Sequence, residues 1–247
     1  MSEGIYYSFI SIDRCSWRSA AVRGRGLFFP DSLLFSPHLV EGFGKLERSI
    51  IMANESHLWY PGATLHLINR GNRRGELFKS PLDYEAFLQK MSDLSKNEGY
   101  IIDAYCLMTN HYHLLIRTSD YPVSEWMQAL QYYYARYFNK KHECDGHVFQ
   151  GRYQARIINS AAYLMEVSRY IHLNPVRAAI VKRPEDYRYS SYKAYIGMEE
   201  NNIVQNKDVL SLFYGPDSIA QYQKYVEEGI PVWSSNTPPS SSDFDFS

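Results

Sequence analysis

From residue 63 onward the hydrophobic and polar positions repeat with regular periods. Residues 63–69 alternate apolar and polar side chains, the period of a strand with one buried face. Residues 70–75, Arg-Gly-Asn-Arg-Arg-Gly, form a basic turn. Phe87, Leu88, Met91 and Leu94 recur at helical spacing and predict a helix over 83–96, stopped at Asn97-Glu98-Gly99. Residues 100–107 are apolar and β-prone, 108–110 make a short turn, and 111–117 read as a second strand of one antiparallel hairpin. Pro122 and Ser124 open another helix to about His142, with Trp126, Met127, Leu130, Tyr134, Tyr137 and Phe138 on its apolar stripe. Residues 153–158 predict a fourth strand. Ser160 caps a third helix through Asn174, and Pro175 marks its expected end. The order is strand–helix–strand–strand–helix–strand and then one more helix. It predicts an α+β, ferredoxin-like antiparallel sheet with helices on one face, plus an extra helix.

The flanks read differently. Residues 1–51 mix short apolar patches with Gly, Pro and Ser without a sustained period. They are expected to be a poorly ordered extension, or upstream sequence ahead of a normal-looking start at Met52. The domain reading is therefore an atypical N-terminal extension (1–57), one domain (58–197), a short helical segment (198–233) and a disordered tail (234–247). The tail is rich in Ser, Pro and Asp.

Composition changes this picture in two places. The chain holds 22 Tyr against 12 Phe, which suits wet, polar grooves as well as a core with hydrogen-bonded rims. Net charge is −1, so no broad basic surface is expected, yet residues 151–193 carry eight Lys and Arg against three Asp and Glu. Such a local basic face fits a short nucleic-acid footprint. The three cysteines, Cys15, Cys106 and Cys144, match neither a disulfide framework nor a zinc ribbon, and a reducing cytoplasm is the expected setting. No run reaches the length of a membrane-spanning helix, and the N-terminus lacks the order of a signal peptide.

Two short motifs carry candidate chemistry. In Asn110-His111-Tyr112-His113 the two histidines are two apart on a strand, so both imidazoles project from one face and can share a metal ion. A pair of surface histidines on a hairpin fits the same pattern. In Tyr170-Ile171-His172-Leu173-Asn174, Tyr170 and Asn174 are four apart and share a helix face. A core-edge tyrosine and a helix-end asparagine also fit. His172, two residues on, points away from Tyr170.

Taken in order, these and further motifs resemble the HUH single-tyrosine transposases, most closely their REP-associated tyrosine transposase branch. The resemblance runs through Tyr60-Pro61-Gly62-Ala63, Asn69-Arg70-Gly71-Asn72-Arg73-Arg74 and Met108-Thr109-Asn110-His111-Tyr112-His113-Leu114-Leu115. It continues through Tyr137-Phe138-Asn139, residues 146–153, residues 170–178 and residues 187–192, and covers roughly 58–197. Thr109 stands where the family most often has Pro.

The resemblance implies a catalytic Tyr170 and a divalent ion, Mg²⁺ or Mn²⁺, held by His111, His113 and Asn174. It implies attack of Tyr170 on single-stranded DNA, a 5′-phosphotyrosine intermediate and strand transfer by the freed 3′-hydroxyl. Arg70, Arg73, Arg74, Arg152, Arg156 and Arg177 are the expected DNA contacts, since guanidinium forks onto phosphate oxygens. Solvated surface charge explains each of them equally well. Tyr132, Tyr133 and the tyrosines of 187–195 are candidates for stacking on bases or for simple packing. The partner is expected to be single-stranded or hairpin DNA, not a membrane; the protein would be cytoplasmic and nucleoid-associated, and monomer and homodimer both stay open. Two other readings remain: a catalytically idle DNA-binding protein on the same scaffold, and an unrelated ferredoxin-like metal-binding module. The intact set His111, His113, Tyr170 and Asn174 favours the enzyme, because a binder has no need of all four.

Overall fold

The computed structural model describes residues 59–215 and 217–231. The expectations for 1–57 and for the tail from 234 lie outside the described residues. Four strands form one antiparallel sheet in the order β2-β3-β1-β4. These are β1 (Thr64–Arg70), β2 (Ile101–Leu107), β3 (His111–Arg117) and β4 (Gln154–Ile157). The helices are α1 (Pro81–Glu98), α2 (Val123–His142), α3 (Ala161–Arg177), α4 (Tyr192–Tyr195), α5 (Lys207–Leu210) and α6 (Ser218–Glu227).

Local chemistry explains where α1 starts and stops. Pro81 sits at its first turn, and the Asp83 carboxylate reaches back to accept from the Lys79 and Ser80 amides at 2.9 and 2.8 Å. Lys141 and His142, at the end of α2, bond the same carboxylate at 2.8 and 3.1 Å and so tie α2 to the start of α1. Gly99 ends α1 in the left-handed region (φ 73°), which a residue with a Cβ adopts at a cost.

The sheet separates two cores. Leu65, Leu67, Tyr112, Leu114 and Ile116 point to one face and pack with Phe87, Met91, Trp126 and Tyr134 of α1 and α2. Ala104, Cys106 and Leu115 point to the other, where Ile171 and Leu173 of α3 join Tyr192, Tyr195, Val209, Tyr222 and Val226. The ferredoxin-like layer of α1 and α2 on one face is thus present as predicted, and the extra helix, α3, covers the opposite face. Among the described residues no helix is long and apolar enough to cross a membrane.

One helix end differs from the sequence reading. Pro175 does not stop α3, which runs on to Arg177. A proline costs a helix the amide it lacks and crowds the preceding turn. Here the carbonyls around it are still used: Ala178 N donates to Asn174 O at 2.9 Å and Ile180 N to Pro175 O at 2.9 Å. The turn therefore closes one residue group later than expected.

Candidate active site

The face of the sheet under α3 gathers the candidate residues. Strand register places Arg70 opposite His111, Ile68 opposite His113, and His66 between Leu115 on β3 and Arg156 on β4. Side chains of this face alternate with the core positions Leu65 and Leu67, so His66, Arg70, His111, His113 and Arg156 all project toward α3. From α3, Tyr170 and Asn174 come down onto the histidines. The Tyr170 ring stands edge-on to His113 at 5.3 Å between centroids, and Asn174 Oδ1 lies 3.5 Å from His111 Nε2. Arg177, one turn further, lies over the Tyr170 ring at 5.3 Å.

The turn before His111 is fixed from several sides. Met108 N donates to His111 O at 2.8 Å, and Leu77 N to Thr109 O at 2.8 Å. Gly71 N donates to Asn110 O at 2.8 Å, which staples the basic turn 70–75 to the histidine turn. A Cβ at Gly71 would lie 2.0 Å from the Gly75 carbonyl oxygen, so only glycine permits this closure. Thr109 in place of proline leaves the turn intact, because its carbonyl carries the contacts.

Protonation of His111 follows from its neighbours. Its Nδ1 is 2.7 Å from the Asn110 amide oxygen, which can only accept, so the ring proton sits on Nδ1. Burial lowers the pKa of His111, with the Arg70 charge adding to the effect and Asn174 opposing it; the ring is neutral at pH 7. Its Nε2 lone pair then faces the lone pairs of Asn174 Oδ1. Two acceptors face each other at 3.5 Å.

A divalent cation fits that arrangement. Adjacent ligands of an octahedral ion with bonds of about 2.1 Å stand about 3 Å apart, close to the separation seen. His111, His113 and Asn174 would supply two imidazole nitrogens and an amide oxygen. This donor set has no carboxylate, and among the described residues no group of three or more His, Cys, Asp and Glu side chains is arranged to hold an ion. Imidazole nitrogen suits Mn²⁺ better than Mg²⁺.

Burial raises the pKa of Tyr170, while the Asn174 amide and the Arg177 and Arg156 charges pull it down. The phenol is therefore protonated in the free protein, with two guanidinium groups placed to favour its phenolate. A pocket lined by His66, Ile68, Arg156, Tyr163, Glu166 and Tyr170 opens beside the ring.

A family model described as "Transposase IS200 like" matches residues 60–174, the segment that holds the four strands and both motifs. Residues 60–174 thus match an IS200-like transposase domain. No curated protein matches the chain. Among solved structures, a REP-associated tyrosine transposase bound to a REP hairpin is similar at 16% identity and a TM-score of 0.49, over 60% of this chain and 93% of its own. A candidate transposase from Deinococcus radiodurans R1 is similar at 16% identity and a TM-score of 0.35, over 46% of this chain and 91% of its own. A bacterial tRNA(His) guanylyltransferase-like protein in complex with ATP reaches 16% identity and a TM-score of 0.34, over 78% and 100%.

The other residues singled out in the sequence separate clearly in the fold. Arg70, Arg156 and Arg177 stand at the site. Arg73 and Arg74 are exposed on the adjoining turn at φ 54° and 60°, a left-handed conformation that costs a non-glycine residue about 1 kcal/mol or more. Arg152 is exposed on the loop before β4, next to Gly151, whose carbonyl accepts from Asn69 Nδ2 at 3.1 Å. Tyr132 and Tyr133 are exposed and Tyr134 is buried in the core. Tyr187, Tyr192 and Tyr195 are packed; Tyr187 donates to Leu107 O and Tyr195 to Asp103 O, both at 2.7 Å. His172 is buried between Tyr222 Oη at 2.6 Å and Ser191 Oγ at 2.9 Å, away from Tyr170. Sequence reasoning missed His66 and Asn110. Asn110 adjoined the motif, but only strand register brings His66 to it.

Proposed function

We propose that the domain cleaves and transfers single strands of DNA, with Tyr170 as nucleophile and His111, His113 and Asn174 as holders of a divalent cation. The observation that carries this reading is the convergence of all four side chains on one face, from two elements distant in sequence. When bound, the cation would polarise the scissile phosphate and offset charge on its oxygens.

The chain's own residues supply the rest. The Tyr170 phenolic oxygen attacks phosphorus, giving up its proton, and the bond to the 3′ oxygen breaks as that oxygen takes up a proton. The products are a 5′-phosphotyrosine ester and a free 3′-hydroxyl. The ester retains the phosphodiester linkage, so a 3′-hydroxyl from another end can reverse the attack and join strands. Arg177 and Arg156 favour the phenolate, which is otherwise scarce because a free phenol titrates near 10. Arg70, Arg73, Arg74 and Arg152 are assigned to the DNA backbone. The half-buried Tyr170 limits water, whose attack would waste the ester.

Labelled single-stranded hairpin DNA from the gene's own flank, mixed with the protein and Mn²⁺ and then denatured, tests this reading. A metal-dependent adduct should form with wild type and be lost in His111→Ala. DNA binding with no adduct for any flank would instead favour an idle DNA-binding protein.

A further inference from the structure

His66 has no role in the scheme above, yet it touches one of the two site histidines. Its Nε2 is 3.0 Å from His113 Nδ1, and the two rings stack at 5.2 Å between centroids and 26° between planes. Register explains the contact. Ile68 is opposite His113 and His66 opposite Leu115, so His66 and His113 are diagonal neighbours on one face. His66 is 5% exposed, so water does not replace this partner. A separation of 3.0 Å between two ring nitrogens is a hydrogen-bond length, met by one proton shared between the rings.

The two site histidines are thus held alike. Each has its Nδ1 committed to a neighbour: His111 to the Asn110 amide oxygen, His113 to His66. For His111 the acceptor-only amide oxygen dictates the tautomer. For His113 the partner is a second imidazole, and the position of one proton decides whether Nε2 keeps the lone pair a cation needs.

We propose that His66 is a positioning residue whose Nε2 accepts the Nδ1–H of His113, fixing the tautomer and ring plane in which His113 Nε2 can bind the cation. Outer partners of this kind orient metal-binding imidazoles and raise their basicity. The role rests on the metal site proposed above, but its first test does not.

Imidazole ¹⁵N NMR of the metal-free full chain reads the tautomer directly. His113 should carry its proton on Nδ1 in wild type and lose that preference in His66→Asn. The Asn amide stops near the place of ring Nδ1, whereas the Gln amide oxygen of His66→Gln reaches the place of Nε2. The second readout is titration with Mn²⁺ alone, followed by the EPR signal of the free ion. His66→Asn should bind about 10–100-fold more weakly than wild type, and His66→Gln should stay within about threefold. Thermal unfolding of the two variants should be alike, since they differ by one methylene; affinities that diverge at equal stability separate positioning from folding. If His66→Asn does not fold, the wild-type tautomer and His66→Gln decide the matter. A wild-type His113 protonated on Nε2, or Mn²⁺ affinity unchanged in His66→Asn, overturns the role of His66 alone. No Mn²⁺ binding by wild type, with His113 still protonated on Nδ1, overturns the metal site and this role with it.

Discussion

Tyr170 differs from phenylalanine by one oxygen, and that oxygen is the whole of its proposed chemistry. Tyr170→Phe keeps the ring against His113 and under Arg177, so stability should change by no more than about 1 kcal/mol while adduct formation disappears. Thermal unfolding and a denaturing gel on the same preparation check both halves. Asn174 offers a prediction of opposite sign. The donor set is neutral, so Asn174→Asp adds a charge beside His111 and should tighten Mn²⁺ binding on the order of tenfold in a titration with the metal alone. Unchanged affinity would remove Asn174 from the site. At this scale the sequence was informative wherever a motif was local. Two histidines two apart on a strand, and a tyrosine and asparagine four apart on a helix, share faces by period alone. His66 was not legible, because its place beside His113 depends on how β1 slides against β3, and no single strand contains that register.

The helix that carries Tyr170 owes its position to elements that follow it. Ile171 and Leu173 are buried against Tyr222 and Val226 of α6 and Tyr192 and Tyr195 of α4. His172 ties the group together through Tyr222 and Ser191. Tyr222→Phe removes the partner of a fully buried imidazole nitrogen and should cost about 1–3 kcal/mol, measured by denaturant unfolding. Because α3 sets the distance from Tyr170 to the histidines, the same variant should slow adduct formation without abolishing it. Loss of stability with an unchanged rate would show that α3 is held by the sheet alone. The sequence revealed that α3 exists, from Ser160 and the spacing that follows, but placed its end at Pro175. It could not show that residues after 198 bury the back of α3. The apolar positions Val209, Tyr222 and Val226 lie in stretches too short to reveal a partner.

Among the described residues of the whole molecule, four buried histidines dominate the response to acid. Burial holds His172 at about 3, and burial with the Arg156 charge holds His66 at about 3; burial lowers His111 and His113 as well. Unfolded, these rings take up protons near 6.5. Between those values the unfolded chain binds more protons, so the fold is fully favoured above about 6.5 and loses stability as pH falls toward 3. Asp103 works the other way: burial raises it to about 6 against the pull of Arg117, so its contribution favours the fold in acid and fades as pH rises through 6. Four rings outweigh one carboxyl. The melting temperature of the metal-free chain should be level above about pH 7 and fall steadily below about 6.5. A level profile down to about pH 4.5 would contradict this. Charge at this scale was legible only in part: the basic stretch 151–193 was visible, but its division between the site, with Arg156 and Arg177, and the surface was not. The role of Tyr170 as nucleophile can be read from one peptide. Trypsin cuts after Arg169 and Arg177, and the peptide between them contains Tyr170 as its only tyrosine. Mass spectrometry of the protein–DNA adduct, after nuclease and trypsin, should find the nucleotide mass on residues 170–177 and assign it to Tyr170. The same mass on a peptide carrying Tyr132 or Tyr133, with residues 170–177 unmodified, would show that the wrong tyrosine has been placed at the centre of the mechanism.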